Sequence, residues 1–268
     1  MNQNQTPPDY PQTQPPQRVQ IAVPTAKPYA MYAIMGITFL VYLLQLAGPY
    51  LLPSTLAVSL LNSYGTSDLM AILGEKVNVL IRAGQLWRLI TPVFLHASIL
   101  HIGFNMYALF LYGRGIEARF GHARFLLLYF LSAFAGNVLS FLLTPNPSIG
   151  ASTAIFGLLA AEAVFILRNR NLFGAQANRA LLNLFFVAAV NLVIGFSTAG
   201  VDNFGHLGGL IGGWLFSWFG GPRWQVEGAY PSLRLIDTRE GHGAMAGTTA
   251  VLLFFVPLAA LGWIWIVK

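Results

Sequence analysis

Four strongly polar residues lie within stretches of this sequence that are otherwise apolar enough to be buried in lipid: His101, Asn105, Ser152 and His206. Polar groups of this kind are costly inside a membrane and are taken first as a functional site. A serine hydroxyl is a poor nucleophile at its own pKa and needs an adjacent base, which an imidazole can supply. We therefore expect nucleophilic catalysis, with Ser152 as the nucleophile and His206 as the base.

Three donors near this pair could stabilise negative charge on the carbonyl oxygen of a substrate. The amide of Ser152 has no intrahelical partner if the residue begins a helix. His101 and Asn105 are four residues apart, so their side-chain donors share one helical face. The spacing also fits two polar side chains that only join helices by hydrogen bonds. If the site is catalytic, the three groups are predicted to form an oxyanion hole.

No carboxylate is evidently placed to orient the imidazole of His206. Asp202 lies four residues earlier, in a loop, and Glu162 lies ten residues after Ser152, about 15 Å along a helix. We therefore predict a Ser–His dyad rather than a triad. Metal binding is the other use of two histidines, but His101 and His206 lack a third ligand of obvious type. No metal site is predicted.

Small residues recur every three or four positions in the two segments that carry the predicted dyad. In membranes, this spacing lets two helix backbones approach closely, which can bring a short serine within reach of an imidazole. Close packing of the two helices is expected whether or not the site is catalytic. The stripes consist of Gly205, Gly209 and Gly213 in one segment, and of Gly150, Ala154, Gly157 and Ala161 in the other.

The composition indicates a polytopic membrane protein. Of the 268 residues, 56% are hydrophobic and 9% are charged, whereas a soluble domain averages about 25% charged residues. The chain has no cysteine, which excludes a disulfide framework, a thiolate zinc site and a cysteine nucleophile. In this setting the modest net charge of +6 indicates membrane topology rather than nucleic acid binding.

Seven apolar stretches are long enough to cross a bilayer, which takes about 20 residues. They cover roughly 30–50, 96–113, 125–143, 149–167, 180–197, 203–219 and 244–267. The segment 53–92 is interrupted by Pro53 and by several charged residues. We expect it to form a long structured loop with amphipathic helices at the membrane interface. The pattern predicts an all-α polytopic membrane protein.

The distribution of Lys and Arg predicts the orientation. With the N-terminus in the cytoplasm, eleven of the 15 lie in inside segments and four in outside segments, as the positive-inside rule requires. The second, fourth and sixth predicted helices then begin at one outer depth, and their first turns hold the four polar residues.

Two segments are predicted to lie in the cytoplasm outside the spans. The Pro- and Gln-rich segment 1–29 is expected to be a disordered cytoplasmic tail, and 220–243 is expected to be a cytoplasmic linker. The tail has the features of neither a signal peptide nor a transit peptide. This favours a bacterial-type plasma membrane, with the site toward the extracytoplasmic side.

Five short motifs occur in order along the chain. They are LWRL, with Trp87 and Arg88; HIGFN, with His101 and Asn105; GRGIEARFG, with Gly113, Glu117 and Gly121; GAST, with Ser152; and GHLGGLIGG, with His206, Gly209 and Gly213. From about residue 83 to 218, they resemble the motifs of the rhomboid family of intramembrane serine proteases. The resemblance implies a six-helix rhomboid core at 30–219 and one additional C-terminal transmembrane helix at 244–268.

The resemblance also implies roles for single residues. Ser152 corresponds to the nucleophile and His206 to the general base, with His101, Asn105 and the serine amide as the oxyanion hole. Phe156 matches an aromatic position under the catalytic imidazole, and Phe104 matches a residue at the lateral opening between helices two and five. The implied activity is that of a serine endopeptidase of the lipid bilayer that needs no cofactor. Its implied substrates are single-span transmembrane proteins, cut in or near the transmembrane segment.

Two positions depart from the family's pattern. Gly205 stands before the histidine where alanine is usual, and Thr153 follows the serine where glycine is usual. A β-branched residue at that crowded turn could shift the serine or fill space near the scissile bond. The main alternative is therefore a non-catalytic rhomboid-like protein that binds membrane clients. A transporter would use the same polar residues as a solute path, but no repeat between the two halves of the chain supports it.

Overall fold

The computed structural model describes residues 25–229 and 232–265. Most of the predicted disordered tail, residues 1–24, lies outside this range, and so does the end of the last predicted helix.

Helices dominate the described chain. They are α1 (Tyr29–Leu51), α2 (Ser54–Tyr64), α3 (Leu69–Gly74), α4 (Asn78–Arg82), α5 (Ile99–Ala108), α6 (Arg114–Phe120), α7 (His122–Leu143), α8 (Ser152–Arg168), α9 (Arg170–Phe173), α10 (Gln176–Ser197), α11 (Asn203–Gly220) and α12 (Gly243–Trp265). Two 3₁₀ turns, Leu86–Leu89 and Thr91–Phe94, precede α5, and a π turn, Leu109–Gly113, joins α5 to α6. An antiparallel hairpin of β1 (Trp224–Glu227) and β2 (Arg234–Asp237) lies between α11 and α12.

Helices occupy all seven stretches that the sequence predicts to cross the membrane. Four of these helices are long and apolar enough to span it, over Tyr29–Gly48, His122–Leu143, Gln176–Ser197 and Gly243–Ile264. The other three helices, α5, α8 and α11, are shorter or more polar. For α8 the packing gives a reason, since 12 of its 17 residues are buried. A helix surrounded by other helices needs less apolar surface than one that faces lipid.

α8 and α11 pack against each other and against α7. A Cβ atom on Gly213 would overlap backbone atoms of Gly157, and one on Gly209 would overlap the carbonyl oxygen of Thr153. A side chain at either position would push the two helices apart. The glycines therefore permit a close backbone approach, and this approach brings the first turns of α8 and α11 together.

The segment between α11 and α12 is folded rather than a plain linker. Its hairpin is attached to the helices through Asp237, which forms an ion pair with Arg124 of α7, and through Trp224, whose amide donates to Asn169 Oδ1 after α8 (2.8 Å). The sequence analysis did not predict this hairpin. Apart from it, the described chain is all-α, as predicted.

Arg88 holds the long loop before α5 together. Its guanidinium donates to the carbonyl oxygens of Glu75 (2.7 Å) and Ile72 (2.5 Å). Arg88 is 3% exposed, so it stabilises the loop from within. The neighbouring Trp87 is half exposed, and its indole N–H donates to the carbonyl oxygen of Leu73 (3.0 Å). The LWRL motif is thus a structural element of the loop.

Lys76 joins this loop to the segment that leads into α8. Its ammonium group donates to the carbonyl oxygens of Thr144 (3.1 Å) and Asn146 (2.8 Å). Its backbone also pairs with Ser148 in an isolated antiparallel bridge. Because Ser148 lies four residues before the start of α8, these contacts help to set where α8 begins.

Glu117 connects α6 to the start of α1. Its buried carboxylate accepts hydrogen bonds from the amides of Ala30 (2.8 Å) and Met31 (2.7 Å), and it contacts Nδ1 of His122 (2.5 Å). The first amides of a helix have no intrahelical acceptor, and a negative group is favourable at that end. Glu117 therefore acts as an N-terminal cap supplied by another helix.

Replacing Glu117 with alanine should destabilise the fold. The substitution leaves two amides without an acceptor, and each buried unsatisfied group costs about 1–3 kcal/mol. We expect a clear fall in the melting temperature of the purified protein in detergent. Glu227→Ala is the matched control, because it removes an exposed ion pair with Arg234, which is worth about 1 kcal/mol or less. Equal losses in the two variants would contradict the capping role.

Lys76 should make stability depend on pH. Burial, opposed by the negative charges of Asp202 and Glu75, lowers the pKa of Lys76 from 10.5 to about 8. The unfolded chain binds more protons than the folded chain between these values, so the wild type should gain stability as the pH rises through them. Lys76→Met should be less stable, because the carbonyls of Thr144 and Asn146 lose their donor, and it should lack this gain.

The measurement is the difference in melting temperature between the wild type and Lys76→Met, followed from below pH 8 to pH 10.5. The difference should widen with rising pH, since a neutral amine still donates hydrogen bonds but no longer carries a buried charge. A difference that does not change with pH would refute the assignment.

Candidate active site

Ser152 and His206 are in hydrogen-bond contact. Ser152 is the first residue of α8, and His206 lies in the first turn of α11. The distance from Ser152 Oγ to His206 Nε2 is 2.9 Å. His206 is buried and Ser152 is partly exposed. The hydroxyl is therefore within reach both of the imidazole and of a molecule entering from outside.

Two residues hold the imidazole of His206 in place. The ring of Phe156 stacks on it, with 4.3 Å between centroids and 7° between planes. On the other nitrogen, Nδ1 lies 3.3 Å from Oδ1 of Asn203. An Nδ1–H that donates to Asn203 leaves Nε2 unprotonated and able to accept the proton of the Ser152 hydroxyl.

Asn203 is a residue that the sequence analysis missed. It lies three positions before His206, so both side chains project from one face of α11; this spacing was the available signal. Its amide nitrogen donates to the carbonyl oxygen of Leu192 on α10 (3.2 Å). Asp202, the acidic neighbour considered from the sequence, instead caps α11 by accepting from the amide of Gly205 (2.9 Å).

His101 lies beside the backbone that leads into Ser152. A Cβ atom on Gly150 would be 2.7 Å from His101 Nε2, and Gly150 has a φ of +126°. Glycine is needed there both for space and for conformation. His101 Nδ1 accepts from the amide of Ala97 (3.3 Å), so Nε2 carries the proton and can donate on the side of the serine.

Asn105 lies one turn below His101 on α5. Its side chain is buried, and one N–H of its amide donates to the carbonyl oxygen of His101 (2.9 Å). That bond fixes the orientation of the side chain and leaves the second N–H available. The amide of Ser152 stands at the start of α8, where the helix itself offers no acceptor. The three predicted donors therefore lie around one site.

His96 is a second residue that the sequence analysis missed. It is 2% exposed, and its Nε2 accepts from the amide of Ala151 (3.5 Å), directly before the serine. Its ring packs edge-on against that of His101, with 5.0 Å between centroids. His96 thus contacts both the start of α8 and His101, one of the predicted oxyanion donors.

A cavity of about 690 Å³ is lined by all four predicted polar residues: His101, Asn105, Ser152 and His206. Phe104 of α5 lines it on one side and is 71% exposed, and Asn191 and Ile194 of α10 line it on another. α10 packs loosely, because only Ala177 and Gly195 are buried among its residues. The cavity therefore reaches the exposed faces of both helices, at the position predicted for a lateral opening.

Thr153, the unusual residue after the serine, fits into a space lined by glycines. A Cβ atom on Gly136 would lie 2.7 Å from the Cβ of Thr153, and one on Gly205 would lie 3.1 Å from its methyl group. The two departures from the family pattern are thus in contact. The methyl group of Thr153 occupies space that an alanine side chain at position 205 would need.

The remaining motif residues stabilise the fold below the cavity. A Cβ atom on Gly113 would lie 3.1 Å from the side chain of Met31 on α1. Gly121, with a φ of +78°, makes the turn between α6 and α7. Glu162, for which the sequence suggested no catalytic role, forms an ion pair with Arg119.

The sequence profile of the Rhomboid domain matches residues 83–223. Rhomboid protease GluP of Bacillus subtilis is 42% identical over 153 residues, which is 57% of this chain and 29% of that protein. RHOMBOID-like protein 1 of Arabidopsis thaliana is 41% identical over 140 residues, or 52% of this chain and 36% of that protein. Rhomboid-like protease 3 of Toxoplasma gondii is 39% identical over 134 residues, or 48% of this chain and 49% of that protein. The matched part spans less than half of each of these relatives.

The Rhomboid domain match covers more than half of the chain and runs from the loop before α5 to just past α11. It therefore includes His101, Asn105, Ser152 and His206. Together with the apolar helices, it identifies the chain as a multi-pass membrane protein that belongs to the rhomboid family.

Proposed function

We propose that this protein is an intramembrane serine endopeptidase that cuts membrane proteins with a dyad of Ser152 and His206. The observation that carries the proposal is the 2.9 Å contact between Ser152 Oγ and His206 Nε2, since a serine needs such a base to become nucleophilic. Relatives whose names include "rhomboid protease" or "rhomboid-like protease" support the same activity.

In the first half of the reaction, Ser152 Oγ bonds to the carbonyl carbon of the scissile peptide while its proton passes to His206 Nε2. The negative charge on the carbonyl oxygen is stabilised by the Ser152 amide and by the side chains of His101 and Asn105. The C–N bond then breaks, and the proton on His206 passes to the leaving amine. The first product departs, and an acyl group remains on Ser152.

In the second half, water attacks the acyl carbon as His206 Nε2 takes a proton from it. The same three donors stabilise the second oxyanion. The bond from the carbon to Ser152 Oγ breaks, the proton returns to the serine, and a carboxylic acid leaves. Throughout, Phe156 and Asn203 keep the imidazole in one orientation, and the reaction needs no cofactor.

We further propose seven membrane spans: the six of the rhomboid core at 30–219 and one more at 244–268, with the hairpin segment 220–243 in the cytoplasm. An N-terminus in the cytoplasm agrees with the excess of Lys and Arg in the segments that would then face inside. In this orientation the active site opens toward the extracytoplasmic side of the plasma membrane. The placement of Ser152 and His206 in first turns of parallel helices is compatible with it.

The proposed substrates are single-span transmembrane proteins. Such a substrate could enter from the lipid between α5 and α10, past Phe104, because the cavity reaches the exposed faces of both helices. The carbonyl groups of an intact helix are already hydrogen-bonded. Cleavage therefore requires a segment that unwinds easily, which favours sites next to small residues.

The competing function is that of a non-catalytic protein that binds membrane clients, and Thr153 is the feature that would favour it. Its methyl side packs toward Gly136 and Gly205, and Ser152 keeps its contact with His206. These observations support catalysis, with Thr153 tolerated.

A fluorophosphonate probe tests the proposal directly, because it reacts with activated serines. The full-length protein in detergent should be labelled, and labelling should be lost in Ser152→Ala and in His206→Ala. Asn203→Ala should react roughly tenfold or more slowly, since a mobile imidazole is a poorer base. Ser197→Ala is the control, because this exposed serine bonds only to the carbonyl of Val193 among the described residues.

Labelling that survives in Ser152→Ala would refute the assigned nucleophile. A folded wild type that is not labelled, yet binds a transmembrane peptide, would support the non-catalytic function instead.

A double-mutant cycle tests how Thr153 is accommodated. Gly205→Ala should lower the stability of the wild type more than it lowers the stability of the Thr153→Ser variant. The reason is that serine lacks the methyl group that the new side chain would meet at 3.1 Å. We expect a coupling of about 1 kcal/mol in stability and a matching difference in labelling rate. Asp202 contacts the new side chain in both backgrounds, so its effect cancels. Strictly additive losses would show that the two positions are independent.

A further inference from the structure

A second polar cavity lies at the opposite ends of the helices that carry the dyad. Its volume is about 350 Å³. Arg168, at the end of α8, and Arg223 and Trp224, at the start of the hairpin segment, are among the residues that line it. α8 runs from Ser152 to Arg168, which is about 25 Å, so this cavity is separate from the proposed active site.

The surroundings of this cavity carry an excess of positive charge. Arg239 lies close to both lining arginines and to Arg124, and the nearby carboxylate of Asp237 is already paired with Arg124. The C-termini of α8 and α11 each add about half a negative charge. Four guanidinium groups against these partners leave about two positive charges. Burial, followed by repulsion from Arg168 and Arg223, lowers the pKa of Arg239.

The arginines are held in place without using up their charge. The guanidinium of Arg168 lies over the ring of Trp218, 4.6 Å from its centroid, and Arg239 donates to the carbonyl oxygen of Trp218 (2.6 Å). Within residues 25–229 and 232–265, neither Arg168 nor Arg223 forms an ion pair. Their N–H donors remain available.

The wall of the cavity is held in place by hydrogen bonds of Asn169. Asn169 donates to the carbonyl oxygens of Phe165 (2.9 Å) and Pro222 (3.2 Å) and accepts from the amide of Trp224 (2.8 Å). These bonds join the end of α8 to the hairpin. The backbone of Trp224 is thereby fixed beside Arg223, and both residues line the cavity.

We propose that this cavity binds the phosphate group of an anionic phospholipid from the cytoplasmic leaflet. Guanidinium groups match phosphate oxygens in charge and geometry, and basic pockets between helices on the cytoplasmic side suit anionic headgroups. The ends of α8 and α11 lie at headgroup depth if these helices cross the bilayer. The proposal uses the orientation given above but does not depend on proteolysis.

The test compares lipid binding by the full-length protein in detergent micelles. Phosphatidylglycerol and phosphatidylcholine with the same acyl chains are added, and bound lipid is counted by native mass spectrometry. Phosphatidylglycerol should bind the wild type in preference, and Arg168→Gln combined with Arg223→Gln should weaken that binding roughly tenfold or more. The control combines Arg114→Gln with Arg179→Gln, two exposed arginines on the same predicted side, and should bind as the wild type does.

Several results would overturn the proposal. They are equal binding of both lipids, equal loss in the two double variants, and a rise in melting temperature with inorganic phosphate that matches the rise with phosphatidylglycerol. The last would assign the cavity to a soluble anion. The single variant Arg223→Gln controls for misfolding of the double variant, because this side chain is exposed. It should retain the fold and lose part of the binding. Fluorophosphonate labelling should stay unchanged in every variant, which separates this site from the dyad.

Discussion

The close approach of α8 to α11 is the constraint on which the rest of the structure depends. Side chains at Gly209 and Gly213 would overlap the backbone of α8, so the two helices lie closer together than a side chain at either position would permit. The hydrogen bond between the serine and the imidazole is 2.9 Å long. It would be lost if the two helices moved apart by about 1 Å. The geometry of the proposed dyad at the ends of the helices is therefore decided by packing along their length.

The residues of the candidate site could be predicted because their signals are local. Ser152, His101 and His206 are polar residues in the first turns of apolar segments, and alternate segments start from one side of a membrane. The signals of Asn203 and His96 were weaker, since asparagine and histidine are common in the loops and first turns that precede helices. Their importance comes from contacts with residues distant in sequence, which no local pattern encodes.

Other features were beyond prediction for different physical reasons. Each strand of the hairpin has four residues, too few for an alternating pattern to be distinguished from a loop. Thr153 and Gly205 lie on different helices and far apart in sequence, so their proximity could not be read from the sequence. Length and hydropathy select only four of the seven predicted spans in the described chain. α8 is short and mostly buried, and α11 carries glycines where a helix facing lipid would carry larger apolar side chains.

Buried charges are satisfied differently at the two ends of the bundle. Near the candidate site, Lys76 and Arg88 donate to backbone carbonyl oxygens. At the other end, Arg119 and Arg124 pair with the carboxylates Glu162 and Asp237. The carbonyl partners hold the loop before α5 in one shape.

Because α10 packs loosely, its residues can influence the cavity without contributing much to the stability of the fold. Because only Ala177 and Gly195 of this helix are buried, most substitutions along it leave the packed centre of α7, α8 and α11 untouched. The same helix forms one wall of the cavity. If α10 borders the entrance for substrates as proposed, sequence change in this helix would alter what reaches the cavity while the fold keeps its stability.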